Sequence, residues 1–97
     1  MTQQIVIKTS DRDSLKGLVE SALDREKKLL QASIEKTRAR LAEFEARFGM
    51  SSMDFEKRLT AGEIKETPSG TEWRMEIGML QLLERKCTSI EESSIVD

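Results

Sequence analysis

The chain contains no histidine and no tyrosine, one cysteine, one proline and four aromatic residues, three of them Phe and one Trp. Without histidine, Ser-His and Cys-His nucleophilic systems cannot be assembled, nor zinc sites that use imidazole. Cys87 has no second cysteine to bond to, which fits a reducing compartment and predicts a cytoplasmic protein. No apolar run approaches the ~18 residues of a membrane span, so no membrane association is expected. Residues 1–13 have neither a basic stretch nor a long apolar one, and no signal peptide is expected either. Charge is nearly balanced, with 16 basic and 18 acidic residues and a net charge of −2. That argues against general affinity for nucleic acid, although residues 1–49 hold ten basic and eight acidic side chains and residues 50–97 hold six and ten.

What remains is a chain of 97 residues, enough for a single interaction domain over 1–97. Leu, Ile, Val and Phe number 23, just above the ~20% below which chains stay disordered. Ala, Glu, Lys, Leu and Arg number 45, near the ~50% typical of long helices and coiled coils.

Residues 4–9 form the only β-like segment, because Ile5, Val6 and Ile7 are consecutive and β-branched. Such a strand must pair with another chain or lie across a helix. Ser10 is placed to cap a helix from about 11 to 48, a window without proline in which 25 of 38 residues are strong helix formers or their equals. Positions 15, 19, 23, 26, 30, 34, 37, 41, 44 and 48 form one stripe with 3.67 residues per turn, interrupted by Glu26 and Thr37. Gly49 reads as its C-cap. Ser51 or Ser52 caps a short helix over about 53–61, which Gly62 ends. The capping box Ser69-x-x-Glu72 starts a return helix over about 70–90. It carries Trp73, Ile77, Leu80, Leu83, Cys87 and Ile90, and Met75, Met79 and Leu82 widen its stripe. The expected fold is mostly α: an elongated helical hairpin preceded by a short strand.

Few residues suggest chemistry. Glu72 and Glu76 share a helix face but have no accompanying chelating motif, so they read as solvated. Cys87 lies in an apolar stripe with no histidine, and reads as packing. Lys36, Arg38 and Arg40 spread around their helix and are diluted by Glu35, Glu43 and Glu45. No catalytic residue, metal site or cofactor is expected. The informative surface is apolar. A return helix of about 30 Å covers only half of the first helix, leaving Ile5, Val6, Ile7, Leu15, Leu18, Val19, Ala22, Leu23, Leu29 and Leu30 as a candidate partner-binding set. An obligate homodimer or higher oligomer follows from the same exposure. Phe44, Phe48, Phe55 and Trp73 are expected to form one structural core at the corner.

The segment Phe44 to Ile64, with Phe48-Gly49-Met50-Ser51, Asp54-Phe55 and Gly62-Glu63, followed by Glu72-Trp73, resembles a family of small helical prokaryotic proteins. These are the antitoxin-like partners in two-gene toxin–antitoxin modules of the TumE type. The match covers residues 44–76, and departs from the family at Thr67-Pro68-Ser69-Gly70, where acidic residues are expected. The resemblance implies binding of a toxin encoded by a neighbouring gene, and no enzymatic activity. Two other readings stand beside it: a structural homo-oligomeric coiled coil, and a DNA-binding autorepressor with a ribbon-helix-like N-terminus.

Overall fold

The computed structural model describes residues 12–93. The strand expected over residues 4–9 and the Ser10 cap lie outside them. The described residues form three helices and no strand: α1 Arg12–Phe48, α2 Ser52–Thr60 and α3 Pro68–Glu92. None of these is long and apolar enough to cross a membrane.

α1 is continuous over 37 residues, with Asp13 in its first turn and Arg47 in its last, each suited to the helix dipole. Glu26 does not break it, because that side chain faces solvent rather than the seam. Thr37 does lie in the seam and is buried. Gly49 ends the helix at φ +67°, a left-handed conformation that suits glycine. Ser51 then caps α2, its hydroxyl accepting from the Asp54 N–H.

α3 starts two residues earlier than the Ser69 capping box implies. Thr67 is the N-cap, its hydroxyl accepts from the Gly70 N–H at 3.0 Å, and Pro68 occupies the first turn. Proline is well placed there, since its missing N–H would have no helical partner.

α3 folds back along α1 as an antiparallel hairpin. Leu30, Ile34, Thr37 and Leu41 of α1 are buried, as are Trp73 and Ile77 of α3. Leu41, Phe55, Trp73 and Ile77 form the core cluster, with Phe44, Met50, Leu59, Ile64 and Leu80 packed around it. Ion pairs mark the register: Arg40–Glu76 at 3.4 Å, Arg38–Glu84 at 3.4 Å and Lys27–Glu91 at 3.3 Å. The molecule measures 62 × 28 × 21 Å with a radius of gyration of 20.0 Å, against about 13 Å for a globule of this length.

Candidate partner-binding surface and aromatic corner

Lys27 meets Glu91 almost at the end of α3, so the part of α1 before it extends past its intrachain partner. That geometry divides the candidate residues. Leu30 is 7% exposed and packed inside the hairpin, so it is not a docking residue. The return helix is 25 residues long and reaches further down α1 than the 30 Å expected from the sequence. Leu23 is half-buried beside Ile90, at the last point α3 covers. Leu15, Leu18, Val19, Ala22 and Leu29 are exposed. Leu18 at 70% and Leu29 at 59% are the most open of these leucines. Ile5, Val6 and Ile7 lie outside the described residues.

The four aromatic residues meet at the opposite end. Trp73 is 1% exposed, with Phe55 stacked on it at a centroid distance of 4.0 Å. Phe44 and Phe48 stack on it at 5.7 and 5.5 Å. The indole N–H donates to the Ser52 hydroxyl at 2.9 Å, satisfying the one polar group of a buried ring. The Ser52 backbone N–H in turn donates to the Glu45 carboxylate at 2.7 Å, which ties the start of α2 to the last turns of α1. Phe48 departs from the expected core position. It is 41% exposed, with Arg47 over its ring, because it is the last helical residue before the Gly49 turn. Next to it opens an apolar cavity of about 190 Å³ walled by Phe48, Met50, Phe55, Ile64 and Trp73.

The charged candidates are largely engaged within the chain. Arg38 and Arg40 pair with Glu84 and Glu76, on opposite sides of the seam as their two-residue spacing requires. Cys87 is half-buried, its thiol 3.9 Å from Glu91. Among the described residues no three acidic or cysteine side chains converge as a metal site would need. Met75, Met79 and Leu82 do not widen the buried stripe of α3 as expected but face outward, at 69, 46 and 39% exposure. Their signal in the sequence is spacing: 75, 79 and 82 recur with helical period but out of phase with 73, 77 and 80. Set beside known protein families, curated proteins and solved structures, the chain matches none.

Proposed function

We propose that the chain is a non-enzymatic protein–protein interaction module that binds a partner protein and covers its surface, as an antitoxin covers a toxin. One observation supports this most: the start of α1, before Leu23, runs past α3 with Leu15, Leu18 and Val19 in water, and Leu29 is exposed on the face turned away from α3. Burying one exposed leucine is worth roughly 1.5–3 kcal/mol, a large share of a marginal fold's stability. Exposed apolar stripes of this kind mark interaction surfaces. Ile5, Val6 and Ile7, consecutive and β-branched in the sequence, suit pairing with a partner's sheet edge, where backbone groups supply affinity. The antitoxin class comes from the resemblance of residues 44–76, and the proposed location is the cytoplasm. Occlusion needs no catalytic group, metal or cofactor. A DNA-binding role finds less support, because Arg38 and Arg40 are already paired with glutamates of α3.

The test is co-purification with the product of the neighbouring gene. Removing residues 1–9 should weaken the complex and leave helical circular dichroism nearly unchanged. Leu18→Glu should do the same, since that side chain makes little contact within the chain. Undiminished co-purification by both variants would overturn the assignment of this surface.

A further inference from the structure

The cavity beside Phe48 takes its walls from all three helices and from both turns between them. Phe48 closes α1, Met50 and Ile64 come from the turns, Phe55 from α2 and Trp73 from α3. The polar groups among these walls are already engaged. The Trp73 indole N–H donates to Ser52, and the hydroxyl of Thr67, which also lines the cavity, accepts from the Gly70 N–H. Gly70 completes the lining. A methyl group there would stand 3.2 Å from the Thr67 hydroxyl and 3.4 Å from the Phe55 ring, so the missing side chain keeps the space between these walls open. An apolar cavity of this kind holds water poorly, and one of roughly 150 Å³ stays dry and takes benzene. At about 190 Å³ this one has room for a single ring and a short chain leading out of the mouth. The rings of Phe55 and Phe48 lie 3° and 19° from the plane of the Trp73 indole, so a flat guest fits along them better than a branched one.

One side chain of the lining is charged. Lys65 is exposed and pairs with no carboxylate among the described residues. Its neighbour Glu66 is held by Arg74 at 2.6 Å, and Glu63 does not line the cavity. Arg47, 5.1 Å over the ring of Phe48, adds a second positive charge beside the same wall. We infer that this cavity binds a small aromatic carboxylate, with its ring among Phe48, Phe55, Ile64 and Trp73 and its carboxylate at the Lys65 ammonium. The occupant is a free molecule and not a side chain of a partner protein, because the apolar surface stops at the mouth. Arg47, Glu63, Lys65 and Glu66, the sequence neighbours of the walls Phe48 and Ile64, are all exposed, whereas the core of a protein interface is depleted of charged residues. The site lies at the far end of the molecule from Leu15 and Leu18 and does not rest on the binding role of α1.

The experiment follows methyl resonances of the full chain by nuclear magnetic resonance. The probes are phenylacetate, its neutral and cationic analogues phenethyl alcohol and phenethylammonium, and the non-aromatic cyclohexylacetate. Phenylacetate should move the Met50 and Ile64 methyl signals along saturable curves and leave those of Leu18, at the other end of the rod, in place. Phenethyl alcohol should bind about two- to fivefold more weakly, as the loss of one exposed ion pair implies, and phenethylammonium more weakly still. Lys65→Gln changes an exposed side chain and should bring phenylacetate down to the level of phenethyl alcohol. Shifts that stay linear through the millimolar range, or that Leu18 shares, overturn the site. Phenethylammonium binding as tightly as phenylacetate, or Lys65→Gln leaving phenylacetate unaffected, overturns the carboxylate. Cyclohexylacetate binding as tightly overturns the aromatic guest. Co-purification with the neighbouring gene product that is lost in Lys65→Gln gives the cavity to the protein partner and overturns a free ligand.

Discussion

Trp73 organises the corner one contact at a time, so substitutions there should follow burial. Phe55→Ala removes a ring that is 5% exposed and stacked flat on the indole, and should cost about 3–5 kcal/mol in urea unfolding. Phe48→Ala should cost less than about 2 kcal/mol, because much of that ring already faces water. Equal losses from the two would contradict the geometry. Glycines allow a similar comparison. A methyl group at Gly78 meets nothing within 4 Å, so Gly78→Ala should gain about 0.5–1 kcal/mol and raise the thermal midpoint by roughly 4–8 °C per kcal/mol. At Gly70 the same methyl would stand 3.2 Å from the Thr67 hydroxyl that caps α3 and 3.4 Å from the Phe55 ring. Both neighbours are held in place, so Gly70→Ala should lower the midpoint. The corner residues could be named from the sequence because few aromatics exist to fill a core. Phe48's exposure could not, since it depends on the path the chain takes after Gly49.

The helices were the most legible feature, and their ends the least. α1 could be read because strong helix formers and one continuous stripe agree over its length, and a single exposed glutamate does not interrupt that agreement. α3 begins two residues before the start that Ser69 marks because two capping signals compete. Ser69-x-x-Glu72 completes the capping-box pattern, whereas Thr67 has Gly70 three residues on and supplies only the N-cap hydroxyl, but Pro68 beside it is suited to the first turn. At its other end α3 runs two residues past Ile90 and meets Lys27, and Leu30, expected as a docking residue, is core. The interhelical ion pairs contribute little to holding the hairpin. Arg38 and Glu84 are each about half exposed, so Glu84→Gln should change unfolding free energy by less than about 1 kcal/mol. A loss several times larger would mean that the pair, and not the apolar seam, sets the register.

At the scale of the molecule, the described residues form a 62 Å rod packed at one end and bare at the other. Its composition allowed either an elongated form or a broken helix, and the unbroken α1 over 37 residues decides for the former. The bare end has few contacts to make its melting cooperative with the rest. Trp73, the one indole in the chain, is enclosed at the packed end. Its emission therefore reports the corner and nothing of the bare end, whereas far-ultraviolet ellipticity reports every helical residue. Heating the isolated chain should make ellipticity fall first, as the start of α1 frays, while the indole spectrum stays fixed until the corner opens. Anything that covers the bare end should bring the two optical transitions together.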